Sequence, residues 1–132
     1  MILVDSNILL DILTNDPKWY DWSASKLSSC AEFHELIIND IIYTEISIGF
    51  ARIEDLEEIL SGEFFKIIPI PKEALFLAGK AFLKYKLNKG NKSSVLPDFF
   101  IGAHASVLNI PLLTRDTSRY KTYYPRLKLI AP

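Results

Sequence analysis

The sequence predicts an α/β fold in which a parallel sheet carries helices on both faces. Short, fully apolar runs such as Ile2–Val4 alternate with longer segments whose apolar residues recur at helical spacing. Strands buried on both faces are apolar throughout, and strands separated by helices pair in parallel. The 132 residues, 49% of them hydrophobic and 23% charged, suffice for one domain with its own core. We therefore expect a single domain over residues 1–132, a three-layer α/β/α sandwich with a parallel five-stranded sheet.

In the first half of the chain, residues that cap helices follow apolar strands. Asp5-Ser6-Asn7 follows the first strand and begins a helix that runs to about Thr14, where Asn15-Asp16-Pro17 stops it. Helical spacing returns at Ala24, Leu27, Cys30 and Ala31, and Leu36–Ile38 is the second strand. Asn39-Asp40 then caps a third helix. The apolar positions of this helix and of the next one are Ile41, Ile42, Ile46 and Ile48, then Ile53, Leu56 and Leu60.

The second half continues the alternation. Phe65–Ile68 is a third strand, closed by prolines, and a long helix with apolar residues from Ala74 to Tyr85 follows it. Pro97 suits the first turn of a helix that runs to about Leu108 and is apolar nearly all round, hence buried. The fourth and fifth strands are predicted at Leu112–Thr114 and Leu127–Ile130.

Composition excludes several classes of protein. No apolar run approaches the roughly 20 residues that a membrane-spanning helix needs, so we expect no membrane contact. Met1 leads directly into Ile-Leu-Val-Asp, without the basic segment of a signal peptide. Cys30 is the single cysteine and has no partner for an internal disulfide, which favours the cytoplasm. The two histidines form no zinc motif, and the Gly-rich loops of nucleotide-binding proteins are missing.

The net charge of −1 conceals an uneven distribution of charge. Residues 1–73 carry 14 acidic and 5 basic residues, whereas residues 74–132 carry 10 basic residues and 2 acidic ones, Asp98 and Asp116. A basic half suggests a polyanionic partner on one face, although halves of a sequence need not be halves of a molecule. The two isolated acids of the basic half therefore need a local explanation.

Acidic residues follow two of the predicted strands. Asp5 comes directly after the first strand, and Asp116 lies two residues after the fourth. Open α/β sheets bind ligands beyond the carboxyl ends of their strands, so both side chains are candidates for a functional site. Each of them would equally serve as the N-cap of a following helix.

Two further acids lie on predicted helices. Asp98 is in the first turn of its helix, where the helix dipole also favours an acid. Glu45 lies on or beside the apolar face of its helix, which carries no Lys or Arg to pair with it. A carboxylate there is costly unless it is paired, binds a cation or reaches water at the rim. Gly102, four residues after Asp98, leaves room beside that carboxylate or allows another element to pack closely.

The convergence of these acids would require a counter-charge, because ionised carboxylates repel one another. Oxygen ligands of this kind suit Mg²⁺ or Mn²⁺ rather than zinc. Such a cluster activates water and stabilises in-line attack on a phosphodiester, while a basic surface holds the nucleic-acid backbone. The candidate catalytic and metal-binding residues are Asp5, Glu45, Asp98 and Asp116.

Four segments, in order along nearly the whole chain, resemble the PIN domain, and more narrowly the small VapC type that forms the toxin of VapBC toxin–antitoxin pairs. These segments are MILVDSNILLDIL, INDIIYTEIS, PDFFIGAHA and LLTRDTSRYKTYYPRLKLIAP. The resemblance implies strand order 3-2-1-4-5 and Mg²⁺- or Mn²⁺-dependent endoribonuclease activity. It also implies a homodimer and an antitoxin whose C-terminal segment covers the site, with Ile53, Leu56 and Leu60 either a docking surface or a face turned to the core.

The resemblance carries the family's acids over to Asp5, Glu45, Asp98 and Asp116. Asn7 and Thr114 match polar positions that support the cluster. Some relatives place a further acid shortly after the fourth, but Thr117, Ser118 and Arg119 stand here, which leaves a second metal ion undecided. Arg115, Arg119 and Lys86 are the candidate RNA-binding residues; the lysine run around Lys86 would also suit a solvated helix face.

Three alternative functions remain open from the sequence. A housekeeping PIN nuclease of this size looks the same as a toxin. A receiver-like signalling domain also gathers acids at this edge of its sheet, but it needs two adjacent acids after the first strand and a Lys after the fifth. A non-catalytic RNA-binding domain would be favoured by an incomplete set of acids, and the set is complete.

Overall fold

The computed structural model describes residues 1–61 and 64–132 of the chain. The strands are β1 (Ile2–Val4), β2 (Leu36–Ile38), β3 (Phe65–Ile67), β4 (Leu112–Leu113) and β5 (Leu129–Ile130). The helices are α1 (Ser6–Leu13), α2 (Tyr20–Phe33), α3 (Asp40–Ser47), α4 (Ile53–Leu60), α5 (Lys72–Leu87), α6 (Pro97–Leu108) and α7 (Ser118–Tyr123). Among these described residues, no helix is both long enough and apolar enough to cross a membrane.

The strands form one parallel sheet in the order β3-β2-β1-β4-β5, as predicted, within an α/β/α sandwich. Strand β1 is central and pairs Ile2 with Leu36 of β2 and Leu3 with Leu112 of β4. All residues of β1, β2 and β4 are buried, which explains why these strands read as unbroken apolar runs. Because the strands are parallel, the segments that follow β1, β2 and β4 emerge side by side at one edge of the sheet.

Local signals in the sequence account well for the helix boundaries. Helix α6 begins at Pro97 and ends at Leu108, where Asn109 takes the left-handed conformation with φ 54°. Helix α7 follows Asp116, where the sequence offered a helix only as an alternative, because six residues are too few for an apolar period to show. The fifth strand begins at Leu129 rather than Leu127, whose amide instead closes a turn onto the carbonyl of Tyr124.

The predicted apolar faces are only partly correct. Ile42 and Ile46 of α3 are fully buried, but Ile48 lies beyond the end of the helix and is 84% exposed. In α4, Leu56 and Leu60 are buried while Ile53 at the first position is exposed. Two of the three residues considered as a docking surface therefore belong to the core.

A buried polar contact fixes the start of α3 against α6. The Asn39 side chain caps α3 by accepting a hydrogen bond from the Ile42 amide at 3.0 Å, and its Nδ2 donates to His104 Nδ1 at 3.0 Å. His104 is completely buried on α6, and burial lowers the pKa of its imidazole, so the neutral ring accepts this bond. The contact ties together the two helices that carry Glu45 and Asp98.

Gly102 serves close packing rather than open space beside Asp98. A Cβ at this position would lie 2.4 Å from the Tyr124 ring and 3.1 Å from the Tyr120 ring. Both tyrosines belong to the α7 region, so the missing side chain lets α7 approach α6. This approach brings the Tyr120 hydroxyl to the edge of the sheet where the acids lie.

Candidate active site

Asp5 is the most buried of the candidate acids and accepts hydrogen bonds at both carboxylate oxygens. Its Oδ1 accepts from the Ser6 amide at 2.7 Å, so Asp5 also acts as the N-cap of α1. Its Oδ2 accepts from Thr114 Oγ1 at 2.9 Å and from the Tyr120 hydroxyl at 2.8 Å. Burial raises the pKa of Asp5, while these hydrogen bonds oppose the rise.

Asn7 and Thr114 connect the ends of β1 and β4. Asn7 Nδ2 donates to Thr114 Oγ1 at 3.1 Å, and Asn7 Oδ1 accepts from the Arg115 amide at 3.1 Å. Thr114 Oγ1 also accepts from the Asp116 amide at 3.2 Å. These bonds set the course of the chain after β4 and thereby the position of Asp116.

Glu45 is half-buried and lies beside Asp5. The Ser6 hydroxyl donates to Glu45 Oε1 at 2.9 Å, which joins α3 to the start of α1. Burial raises the pKa of Glu45, and the negative charges of Asp5 and Asp98 raise it further. Glu45 is therefore within electrostatic reach of two other acids, although its helix offers it no basic partner.

Asp98 carries the clearest sign of crowding among the acids. Burial and the charge of Asp5 raise the pKa of Asp98 from 3.8 to about 6; Asp116 adds to the rise and Arg119 opposes it. Arg119 Nε lies 3.6 Å from Asp98 Oδ2. Arg119 thus brings a positive charge to this group of acids.

Asp116 is the exposed member of the cluster. Its Oδ1 accepts a long hydrogen bond, 3.4 Å, from the Ser118 amide at the start of α7. Its charge contributes to the raised pKa of Asp98, so it faces the same edge of the sheet. The helix-capping contact predicted as an alternative is present but weak at this distance.

The four acids thus form a chain of mutually repelling charges at one edge of the sheet. Within residues 1–61 and 64–132, no three acidic, histidine or cysteine side chains lie close enough together to hold a metal ion as they stand. Burial is the main cause of the raised pKa values of Asp5, Glu45 and Asp98, and the charges of neighbouring acids raise those of Glu45 and Asp98 further. The arrangement can accept a cation if the carboxylates draw together.

Arg115 forms its ion pair with Asp11 rather than with one of the four candidate acids. Its Nε and Nη2 donate to Asp11 at 2.7 and 2.8 Å, and its guanidinium lies 5.1 Å from the centre of the Trp19 ring. Ser23 donates to the same carboxylate at 2.7 Å. Burial opposes ionisation of Asp11, but the bonds from Arg115 and Ser23 prevail and lower its pKa. Sequence reasoning missed Asp11, because it lies within an ordinary amphipathic helix.

Arg119 and Lys86 lie on the side of Asp98. The Arg119 guanidinium lies 5.2 Å from the centre of the Tyr85 ring and 5.5 Å from that of Phe99. Lys86 Nζ donates to the carbonyls of Gly90 and Lys92 at 3.0 and 2.9 Å, and so shapes the loop after α5. This loop continues the basic surface that begins at Arg119.

Tyr120 is the second residue that sequence reasoning missed. Its ring is buried and its hydroxyl lies 2.8 Å from Asp5 Oδ2 and 3.5 Å from Asp98 Oδ1. Burial and the charges of Asp5 and Asp98 raise the pKa of this phenol well above its usual value, so the hydroxyl keeps its proton. Nothing local in the sequence marks Tyr120, because its role depends on where α7 packs.

Known structures share this fold over the full length of the chain. VapBC2 from Rickettsia felis, bound to a DNA fragment from its promoter, matches with a TM-score of 0.75 and 22% identity over 100% of this chain and 99% of that one. VapBC-1 from nontypeable Haemophilus influenzae matches with a TM-score of 0.73 and 22% identity over 99% and 98%. FitAcB from Neisseria gonorrhoeae matches with a TM-score of 0.73 and 19% identity over 98% and 96%. No curated protein sequence matches the chain.

The sequence itself matches the family model of the PIN domain over residues 2–123. This range contains the four candidate acids and Tyr120, whereas Tyr124 lies one residue beyond its end. The chain belongs to the PIN domain family, a family of nucleases.

Proposed function

We propose that this protein is a divalent-metal-dependent endoribonuclease and the toxin of a toxin–antitoxin pair. The observation that carries the proposal is the electrostatic coupling of the acids: Asp5 and Asp98 each raise the pKa of Glu45, and Asp5 and Asp116 raise that of Asp98. Crowded carboxylates are a liability for stability, and a bound cation removes it.

The donor set fits a hard cation. Asp5, Glu45, Asp98 and Asp116 supply carboxylate oxygens alone, which Mg²⁺ and Mn²⁺ prefer and which zinc sites seldom use exclusively. When bound, such an ion lowers the pKa of water and neutralises charge that develops on a phosphodiester. Arg119 beside Asp98 favours one ion over two, because a second cation would meet its guanidinium.

The chain's own residues then orient the carboxylates. Ser6 and Thr114 donate hydrogen bonds of 2.9 Å to Glu45 and Asp5, and these bonds orient the two carboxylates toward the same edge of the sheet. Water attack on the phosphorus with departure of the 3′ oxygen yields a product with a 5′-phosphate. RNA strands would cross the exposed side of the cluster at Asp116.

The RNA backbone meets the basic surface beside Asp98. Arg119 is one-third exposed and its guanidinium lies near two aromatic rings. Lys86, in the last turn of α5, holds the adjoining loop. Arg115 is the weakest of the three candidates, because its bidentate contact with Asp11 occupies its donors. Phosphate contacts of this kind release counterions, so affinity falls as salt rises.

An antitoxin partner is supported by the likeness to VapBC2 from Rickettsia felis and VapBC-1 from Haemophilus influenzae. We expect the partner to be encoded by a neighbouring small reading frame, the complex to reside in the cytoplasm, and the toxin to form a homodimer. If growth of the host is unaffected by the chain, a housekeeping PIN nuclease is the better description. Membership of the PIN family excludes the receiver-like domain.

The decisive experiment measures cleavage of single-stranded RNA by the purified protein in Mn²⁺, in Mg²⁺ and in EDTA. Wild type should cleave in either metal and not in EDTA, and Asp116→Asn should be inactive although Asp116 is exposed and contributes little to packing. Glu58→Gln, an exposed acid on α4, should cleave like wild type. RNA binding by wild type without cleavage in either metal would refute the nuclease and favour a non-catalytic RNA-binding protein.

A further inference from the structure

Tyr120 lies between two acids that come from different parts of the fold. Asp5 follows β1, and Asp98 lies in the first turn of α6. The Tyr120 hydroxyl is 2.8 Å from Asp5 Oδ2 and 3.5 Å from Asp98 Oδ1, and its ring is 1% exposed. A single proton donor thus faces both carboxylates.

This hydroxyl completes the hydrogen bonding of Asp5 Oδ2. That oxygen already accepts from Thr114 Oγ1 at 2.9 Å, Asn7 Nδ2 lies farther away at 3.5 Å, and a carboxylate oxygen has two lone pairs. Oδ1 is engaged by the Ser6 amide at 2.7 Å. A cation that binds Asp5 through Oδ2 must therefore replace a donor, and Tyr120 is the donor that also faces Asp98.

The position of the hydroxyl depends on the packing of α7. Tyr120 reaches the acids because Gly102 leaves room for its ring on α6, where a Cβ would lie 3.1 Å from it. Core packing explains why an aromatic ring is needed at position 120. It does not explain the hydroxyl, because phenylalanine fills nearly the same volume. The contacts of the Tyr120 hydroxyl with the two acids are therefore not a requirement of core packing.

We propose that Tyr120 is a positioning residue that bridges Asp5 and Asp98 in the metal-free protein, and that a divalent cation displaces it. This inference rests on the metal site of the proposed function. In the metal-free protein the bridge offsets part of the repulsion between the two acids, and it competes with the cation for Asp5 Oδ2. Tyr120 therefore weakens metal binding, which would make occupancy of the site sensitive to the supply of free cation.

The test compares Mn²⁺ affinity by calorimetry for the wild type, Tyr120→Phe and a matched control, Tyr124→Phe. Tyr124 packs on the same glycine, but its hydroxyl donates to the carbonyl of Phe99 at 2.7 Å and contacts no acid of the site. Tyr120→Phe should bind Mn²⁺ about tenfold more tightly, which corresponds to the loss of one hydrogen bond to a charged group. Tyr124→Phe should bind like wild type.

A second measurement reports directly on the hydrogen bond of the Tyr120 hydroxyl. Adding Mn²⁺ to wild type should change the ultraviolet absorption of tyrosine, because a hydrogen bond from a phenol to a carboxylate is broken. The change should be kept in Tyr124→Phe and lost in Tyr120→Phe. The wild-type spectrum tests the displacement even if Tyr120→Phe does not fold, since an unchanged spectrum at saturating Mn²⁺ would contradict it.

The outcomes separate this inference from the proposed function. If wild type binds Mn²⁺ and cleaves RNA but Tyr120→Phe binds no more tightly, the bridge is wrong and the nuclease stands. If neither wild type nor Tyr120→Phe binds Mn²⁺, the metal site itself is wrong and the inference falls with it. Tighter binding by both tyrosine variants would indicate a general loosening of the fold and would also overturn the specific role of Tyr120.

Discussion

Replacing Asp98 by asparagine should stabilise the metal-free protein at neutral pH. Burial and the charge of Asp5 raise the pKa of Asp98 from 3.8 to about 6. About two pH units correspond to about 3 kcal/mol of unfavourable free energy for the ionised side chain. The carboxylate is 36% exposed, so water screens much of this energy, and we expect about 1–2 kcal/mol.

The raised pKa of Asp98 also predicts how the stability of the wild type changes with pH. Between pH 4 and pH 6 the folded chain holds a proton on Asp98 that the unfolded chain has released. The free energy of unfolding of the wild type should therefore fall as pH rises through this interval and then stay low. Asparagine carries no charge, so this step should be missing in Asp98→Asn, and the two curves should separate above pH 6 and meet below pH 4.

Thermal unfolding in EDTA at pH 4, 5, 6 and 8 measures this difference. A gain of about 1–2 kcal/mol should raise the melting temperature of Asp98→Asn by roughly 4–8 °C at pH 8. Glu58→Gln makes the same acid-to-amide change on an exposed part of α4 and should change little at any pH. A lower melting temperature for Asp98→Asn than for wild type at pH 8 would refute the reasoning, since the contact with Arg119 would then outweigh the repulsion.

Three other substitutions test contacts that support the site. Arg115→Ala leaves Asp11, which is 2% exposed, with an unpaired charge, and should lower the free energy of unfolding by about 2–4 kcal/mol in urea titrations at pH 7. This loss should shrink below about pH 4, because the lowered pKa of Asp11 contributes stability only above that pH. Gly102→Ala should lower the free energy of unfolding by about 1–3 kcal/mol in the same titrations, since its Cβ would lie 2.4 Å from the Tyr124 ring. Its control, Gly79→Ala at an open position in α5, should raise the free energy of unfolding by about 0.5–1 kcal/mol. Equal effects of the two substitutions would contradict the packing argument. Asn39→Ala removes a helix cap and a partner of a buried imidazole, and a loss below about 1 kcal/mol would mean that neither contact matters.

Local sequence signals predicted most of the secondary structure and the candidate acids. Fully apolar runs marked β1 and β2, because strands buried on both faces have no polar side to show. Pro97 and Asn109 marked the ends of α6, since each acts through its own backbone conformation. Asp5 was placed at the edge of the sheet because it directly follows β1, and parallel strands end at the same edge.

The tertiary structure alone decided which side chains meet at that edge. Tyr120 reaches Asp5 across 115 positions of sequence, and Arg115 reaches Asp11 across 104. Sequence reasoning named Arg115 as a candidate RNA-binding residue, and only the tertiary structure shows that its guanidinium pairs with Asp11 of α1. Periodicity and capping act over a few residues and can be seen in the sequence. The partner of a buried charge or hydroxyl is set by how helices pack, and here a six-residue helix against Gly102 brings the phenol of Tyr120 to two acids.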